Sequence, residues 1–328
     1  MRPQYPQSRH ISRRHFLASA SFAATAAALR PRTLFAQAKP ASDSTVPPII
    51  AQARASAATT KVIAQPLRGN VSILRGEGGN MACLQGKDGA LLVDSSYATA
   101  KPNVLTTLDI LEAGPPKHLI NTHWHFDHTD GNEWMHNAGA TILAHDNTKK
   151  DLATSHFFAL FNQTIPAAPA AALPTETFAD KKTLHVNGAT LQLEYYGPAH
   201  TDSDISIYFT EADILHCGDT FFNGMYPVID YATGGSIDGM IKAAARNLAL
   251  AGPNTYVIPG HGPLGHRADL QDFYDIILYA RNTVQTLKSE GKTLAEVQTL
   301  KPLGGYDIRW GKGGITPDLF LSFVYQGV

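Results

Sequence analysis

A chain of 328 residues with 44% hydrophobic and 17% charged residues has an ordinary globular composition and is long enough for one large α/β domain. Its formal net charge of −1 hides an asymmetry, because six arginines lie within residues 1–38 whereas the first acidic residue is Asp43. Removing those six from the 27 basic residues leaves 21 against 28 acidic residues. The rest of the chain is therefore acidic, which argues against nucleic acid or anionic lipid as a partner.

The N-terminus has the pattern of an exported protein. Residues 12–17 read SRRHFL, a twin-arginine pattern, and an uncharged, alanine-rich run continues to Leu29. That run is too short to span a bilayer and has the length of a signal-peptide core. Small residues up to Ala38 predict cleavage after that residue. The alternative is an Ala/Ser-rich tail in which the arginine pair is accidental.

We therefore predict three regions: a twin-arginine signal peptide over residues 1–38, a linker over 39–60 that leads into a short helix, and one domain over 61–328. The expected location is periplasmic. The expected partners are the twin-arginine (Tat) translocase during export and a small-molecule substrate, with no membrane span after signal removal.

The body alternates strands and helices in two successive halves. Short apolar runs separated by turn residues predict strands at 61–67, 70–76, 80–86 and 90–96, a helix over 102–112, a strand ending at 120, a helix over 132–137 and a strand over 140–146. The second half predicts hairpins over 182–197 and 205–219, a helix over 236–250, a strand over 255–260, a helix over 270–287 and a shorter helix from 294. Two halves with a break near residue 170 favour a layered α/β sandwich with helices on both outer faces.

Two features of the body leave alternatives open. Residues 156–180 are rich in Phe and Pro, which suits either a substrate-facing lid or a connector packed on the core. Cys83 and Cys217 lie in apolar runs, which favours buried free thiols, although an exported protein could pair them.

The stretch LINTHWHFDHTDGN, residues 119–132, organises the predicted chemistry. It places His123, His125, Asp127 and His128 directly after a buried strand. If the segment is extended, the first three share one face. Neutral imidazole and carboxylate suit a borderline divalent ion such as zinc, whereas the alternative is a solvated His-rich turn. We interpret the stretch as a metal site.

Three further candidates follow apolar strand-like runs beside Gly or Pro. His200 lies in GPAHTDSD, Asp219 in HCGDTFF and His261 in PGHG. Glycine allows a sharp turn that can aim a side chain into a shared cleft. Given the first cluster, we predict that these three complete the metal site.

In this order, the seven residues resemble the metallo-β-lactamase superfamily over about residues 65–265. The resemblance implies the αββα four-layer sandwich of two mixed sheets, with two Zn²⁺ per chain at one edge. It implies that His123, His125 and His200 bind one ion, that Asp127, His128 and His261 bind the second, and that Asp219 bridges them. The implied activity is a zinc-dependent hydrolase in which a metal-bridging hydroxide, oriented by the catalytic Asp127, opens a cyclic amide, lactone or thioester.

The resemblance leaves the substrate and the metal open. One group of zinc β-lactamases has cysteine where Asp219 stands and a lysine three residues later, where this chain has Phe222. The aspartate resembles the glyoxalase II and lactonase branches. Sulfur dioxygenases, which use a single iron at the equivalents of His123, His200 and Asp219, are also similar. A non-catalytic exported metal-binding protein is the third alternative.

Overall fold

The computed structural model describes residues 46–328, so the predicted signal peptide and the first part of the linker lie outside the described residues. The helices are α1 Pro48–Thr59, α2 Lys101–Ile110, α3 Phe126–Thr129, α4 Asn132–Asn137, α5 Asp146–Leu152, α6 Ile237–Leu250, α7 Arg267–Ser289, α8 Leu294–Leu300, α9 Gly304–Trp310 and α10 Pro317–Gly327. The strands are β1 Ile63–Pro66, β2 Val71–Arg75, β3 Met81–Leu84, β4 Ala90–Val93, β5 Pro116–Ile120, β6 Thr141–His145, β7 His156–Phe158, β8 Gln163–Ile165, β9 Glu176–Phe178, β10 Lys181–Val186, β11 Ala189–Tyr195, β12 Ile205–Phe209, β13 Ile214–His216, β14 Tyr256–Ile258 and β15 Gly265–His266.

Two mixed sheets form the centre of the fold. The first has the order β1-β2-β3-β4-β5-β6-β9 and the second has the order β10-β11-β12-β13-β14-β15. In the first sheet β4, β5, β6 and β9 run parallel, and in the second sheet β13 and β14 do. The hairpin predicted at Asn187-Gly188 joins β10 to β11, with φ of 52° and 76°, as a turn of this kind requires. The first sheet ends at Phe178 and the second begins at Lys181, slightly after the predicted break near residue 170.

Three apolar layers confirm the predicted αββα sandwich. The middle layer packs the first sheet, with residues such as Ile73 and Val93, against the second, with residues such as Leu193 and Ile207. On the outer face of the first sheet lie α1, α2 and α4. On the outer face of the second lie α6, α7 and α10. Burial of alternate side chains on both sheet faces stabilises the strands and fixes their register.

The start of the described chain contains a short helix, as predicted for the end of the linker, whereas its end holds more structure than the sequence predicted. Helix α1 lies within the stretch assigned to the linker, and its Ala53 and Ala57 pack in the core, so residues 48–59 belong to the folded body. Helices α9 and α10 were not predicted. Cys83 and Cys217 are both buried and free, as expected. None of the described helices is long and apolar enough to cross a membrane.

Residues 156–165 form a short hairpin, β7–β8, outside both sheets. Its Phe158 and Ile165 pack with Ile50, Trp124 and Leu152 in a small apolar cluster of their own. The hairpin is therefore packed against the rest of the fold.

Candidate metal centre

The seven predicted ligands converge at one edge of the sandwich because they follow strands that end there. His123 comes after β5, His200 after β11, Asp219 after β13 and His261 after β14. Strands β13 and β14 are parallel, and β11 runs in their direction because both β11 and β13 are antiparallel to β12. The carboxyl ends of these strands therefore bring the side chains together.

The ligand stretch is not extended throughout, which corrects one expectation. After His125 the chain turns into α3, so Asp127 and His128 project from a single helical turn. The Thr129 hydroxyl donates to the carbonyl oxygens of Trp124 and His125 at 3.0 and 2.9 Å, which stabilises this turn. The turn therefore separates His123 and His125, which precede it, from Asp127 and His128, which lie in it.

The structure brings all seven residues together in two overlapping groups. The inner trio is His123, His125 and His200, and the outer trio is Asp127, His128 and His261; within each, the ligand atoms lie within 4.8 Å of one another. Asp219 lies between the trios: its Oδ2 is 3.4 Å from Nε2 of His200 and 3.4 Å from Nε2 of His261. Its Oδ1 is 3.2 Å from Nε2 of His128. The two trios are therefore adjacent, and the Asp219 carboxylate lies between them.

Each histidine of the inner trio has its outward ring nitrogen engaged. Nδ1 of His123 is 3.0 Å from the Thr122 hydroxyl, and Nδ1 of His200 donates to the Val228 carbonyl oxygen at 2.8 Å. Nε2 of His125 donates to Asp230 Oδ2 at 3.1 Å. These partners orient the rings so that Nε2 of His123, Nδ1 of His125 and Nε2 of His200 point into the pocket, the last two 2.8 Å apart.

One buried carboxylate, Asp94, supports both trios. Its Oδ1 accepts from the Thr122 backbone N–H and its Oδ2 from the Thr122 hydroxyl, each at 2.8 Å. The same Oδ2 accepts from Nδ1 of His128 at 2.8 Å, which directs Nε2 of that ring into the pocket. Outer partners of this kind orient metal ligands and raise their basicity.

Two glycines make room for the ligands. A Cβ added to Gly79 would lie 2.0 Å from the His128 ring, and one added to Gly260 would lie 1.8 Å from Asp219 Oδ1. Both positions need a residue without a side chain because the ligand occupies that space. The sequence shows glycines beside His261, but it does not reveal that Gly79 and Gly260 leave space for ligand side chains.

The protonation of the pocket differs between the trios. Burial lowers the pKa of His200 to about 4 and that of His123 well below its ordinary value, so both rings are neutral. Burial also opposes a charge on His261, but the Asp219 charge and the Asp127 hydrogen bond outweigh it and raise its pKa to about 10. Burial works against ionised Asp219 too, yet the nearby His261 and His128 hold its pKa well below the usual range.

The donor set fits a metal ion. Nε2 of His123 is buried and has no hydrogen-bond partner among the described residues, and Oδ2 of Asp219 lies 3.9 Å from it. Unsatisfied buried polar atoms are costly, so a cation at the point where they converge would remove the penalty. Imidazole with carboxylate is the ligand chemistry of zinc and related first-row divalent ions.

Aromatic side chains border the pocket unevenly. Phe158 of the β7–β8 hairpin meets the His125 ring edge-on at 5.2 Å, and Phe161 stacks on Phe158 at 5.2 Å. Phe222 stacks on His261 with centroids 5.3 Å apart and planes at 19°. The hairpin therefore contacts the centre through Phe158, a contact that both a lid and a connector packed on the core would make.

Among the other aromatic residues near the ligands in the sequence, Trp124 lies beside His125, with ring centroids 4.7 Å apart. Phe221 and Tyr226 pack in the core, against Phe273 and Phe320.

Sequence reasoning missed two supporting carboxylates, Asp94 and Asp230. Asp94 follows β4 directly, so the strand-end criterion that identified Asp219 would also have found it. Asp230 lies between strands in a long loop, with no local pattern that marks it.

Two mixed sheets covered by helices, with five histidines and two aspartates at one edge, define an αββα sandwich with a candidate metal centre. The family model of the metallo-β-lactamase superfamily matches residues 74–261, more than half of the chain. The chain belongs to the metallo-β-lactamase superfamily.

Solved structures with the same fold include a metallo-β-lactamase from Pontibacter korlensis (TM-score 0.55, 20% identity, 66% of this chain and 99% of that chain). The sec-alkyl sulfatase PisA1, a double mutant, covers more of this chain (TM-score 0.62, 18% identity, 86% of this chain and 52% of that one). At these identities the likeness concerns the fold alone.

A curated relative is the 2,4-dinitroanisole O-demethylase subunit alpha of Nocardioides sp. (strain JS1661), 26% identical over 164 residues. That match covers 49% of this chain and 46% of the relative, so the chain spans less than half of the relative's length.

Proposed function

We propose that the protein is a zinc-dependent hydrolase that holds two ions and opens a cyclic amide, lactone or thioester. The observation that carries the proposal is the pair of ligand trios in one pocket with the Asp219 carboxylate between them. Superfamily membership supports hydrolysis as the class of reaction. Two divalent ions bound there would lower the pKa of a water to about 7 and polarise a carbonyl group.

Asp127 is the residue best placed to move the proton. Its side chain is 19% exposed, and its Oδ2 lies 3.2 Å from Nε2 of His261. Burial disfavours its charge, but His128 and His261 outweigh this effect and keep its pKa below the ordinary range. The carboxylate is therefore ionised at neutral pH. It can accept a proton from the attacking water and return it to the nitrogen, oxygen or sulfur released when the carbonyl bond breaks.

The surroundings favour a substrate without a carboxylate. Phe222 is 4% exposed and stacks on His261, so an apolar ring stands at the sequence position, three residues after Asp219, where the lysine-bearing β-lactamases carry a cation. No lysine or arginine within residues 46–328 forms an ion pair with any of the seven ligands. A substrate carboxylate there would lose its hydration without gaining a partner, which disfavours β-lactam drugs.

A parallel screen tests the proposal. Zinc-loaded protein is assayed with a homoserine lactone, an uncharged aryl thioester, nitrocefin and 2,4-dinitroanisole, the last because a relative is named for its demethylation. We expect close to two zinc ions per chain and faster turnover of the lactone or thioester than of nitrocefin. Metal-free protein is the control.

One result would contradict the proposal, and another would contradict only the preference for substrates without a carboxylate. One iron per chain, with oxygen uptake on a glutathione persulfide and no hydrolysis, would replace it with the dioxygenase alternative. Nitrocefin as the best substrate by a wide margin would mean that a cation such as Arg267 or Lys312 anchors the carboxylate.

A further inference from the structure

Helix α1 is attached to three segments that border the metal centre. Arg54 pairs with both oxygens of Asp130, with Nε to Oδ2 at 2.8 Å and Nη2 to Oδ1 at 2.5 Å. The Ser56 hydroxyl donates to Glu77 Oε2 at 3.0 Å, next to the glycine turn that adjoins His128. The Ile49 backbone N–H donates to Gln163 Oε1 at 3.1 Å, on the β7–β8 hairpin.

The Arg54 attachment bears directly on the outer trio. Asp130 follows the last residue of α3, and its backbone N–H donates to the Phe126 carbonyl oxygen at 2.9 Å. Its side chain is 10% exposed, and its Oδ2 also accepts from the Ala98 backbone N–H at 2.8 Å. The C-terminal end of the turn that carries Asp127 and His128 is thus fixed by two neighbouring segments.

We propose that Arg54 is a positioning residue for the outer trio, and the proposal rests on the two-ion function above. A nearly buried carboxylate that loses its cation is driven to move toward water, and this movement would shift α3. The planar guanidinium holds both Asp130 oxygens at once, so it fixes the orientation of the carboxylate as well as its charge.

The effect of Arg54 should be selective for one of the two ions. The inner trio is held by Thr122, Val228 and Asp230, none of which contacts α1 through a hydrogen bond or ion pair recorded in the structure. Loss of Arg54 should therefore weaken the outer ion and spare the inner one. A general loss of folding stability would weaken both.

The test measures the two stepwise zinc dissociation constants by chelator competition for the wild type, Arg54→Ala and Arg54→Lys. We expect Arg54→Ala to weaken the second ion about tenfold or more, the usual cost of losing an outer support, and to change the first by less than about threefold. Arg54→Lys should recover part of the loss, because a point charge reaches one carboxylate oxygen.

Arg281→Ala is the matched control. Arg281 pairs with Asp238 at 2.8 Å on the helical face of the second sheet, and its side chain is 24% exposed against 32% for Arg54, but the Asp238 side chain is 60% exposed. Both constants should keep their wild-type values in this variant. Urea unfolding of the metal-free proteins reports the global stability of each.

A double variant, Arg54→Ala with Asp130→Asn, keeps the proposal testable if the single variant does not fold. It removes the unpaired charge, yet the second ion should remain at least about threefold weaker than in the wild type, because the bidentate contact is gone. A wild-type second constant in the double variant would overturn the positioning role. So would equal weakening of both ions in Arg54→Ala, or no change in either. A wild-type chain that binds a single ion would overturn the two-ion function itself.

Discussion

The two ligand trios share one pocket but differ in exposure. His123, His125 and His200 of the inner trio are 0%, 5% and 1% exposed. In the outer trio the side chains of Asp127 and His261 are 19% and 25% exposed. The outer trio therefore forms the accessible side of the centre, where a substrate would arrive, and the inner trio forms its floor.

The trios also differ in charge and support. The inner rings His123 and His200 are neutral and each has its outward nitrogen engaged, whereas His128 and His261 hold protons through the field of Asp127 and Asp219. A site of neutral, fixed imidazoles is already arranged for a metal ion. A site of protonated rings must first release protons. Ligands of the same residue types can therefore differ widely in how ready they are to bind a metal ion.

The variant Gly260→Ala should weaken both trios alike, because it displaces the Asp219 carboxylate that lies between them. The new Cβ would lie 1.8 Å from Asp219 Oδ1 and 2.7 Å from the Gly218 carbonyl carbon, and backbone cannot yield as a flexible side chain can. We expect affinity for both ions to fall about 100-fold, the upper end for a displaced support, together with loss of activity. Metal content and chelator competition measure this.

The control for that variant is Gly314→Ala, because nothing lies within 4 Å of a Cβ at Gly314. Full metal content and activity in Gly260→Ala would show that Asp219 does not occupy the position described.

The pH dependence of zinc binding should sharpen the comparison. At pH 7 the metal-free protein carries protons on His261, whose pKa is raised to about 10, and on His128, whose pKa is raised well above its ordinary value. The outer ion must displace both, so its association constant should rise by up to about two logarithmic units per pH unit between pH 6 and 8. The inner ion displaces none from His123 or His200, whose pKa values are lowered.

The same shifts affect the metal-free fold with a definite sign. Because the folded pKa of His261 is raised, its proton stabilises the native state below about pH 6.5, and that contribution disappears as the pH rises through 10. Stepwise zinc titrations at three pH values distinguish the trios. Equal slopes for the two ions would contradict the assigned protonation.

The variant Asp230→Asn should weaken the inner trio alone. Asp230 Oδ2 accepts from Nε2 of His125, and the Asp230 pKa falls to about 2: burial opposes its charge, but the His125 and Thr233 hydrogen bonds prevail. An amide is a weaker acceptor, so the first ion should bind about tenfold less tightly. Chelator competition measures this, with Asp238→Asn as an exposed control. A larger loss at the outer ion would break the assignment of Asp230 to the inner trio.

The sequence predicted the parts of the site that follow strands. His123, Asp219 and His261 come directly after apolar runs, and parallel strand ends meet at one sheet edge, so their convergence could be expected. It could not predict Asp230, which reaches His125 across more than 100 positions from a loop without a periodic pattern. The turn at α3 was also missed. The H-x-H-x-D spacing permits an extended conformation as well as a helical turn, and the Thr129 hydroxyl hydrogen bonds that stabilise the turn could not be seen from the spacing.

For the fold, alternation and turn residues were sufficient to locate β1–β4 and the Asn187-Gly188 hairpin. Helix α1 was expected as a short helix at the end of the linker, but its packing in the core was not, because its Ala-rich sequence has almost no amphipathic pattern. Its position depends on contacts with distant residues, such as the Arg54–Asp130 pair. Long-range contacts of this kind leave no local signal.

The most direct test of two adjacent cation positions is a zinc titration of the metal-free wild type beside the variant Asp127→Asn. Asp127 belongs to the outer trio only, and its side chain is partly exposed, so the substitution should leave the fold intact. We predict two tightly bound ions in the wild type and one in the variant, with the first constant unchanged. A wild type that binds one ion, or a variant that loses both together, would contradict the account.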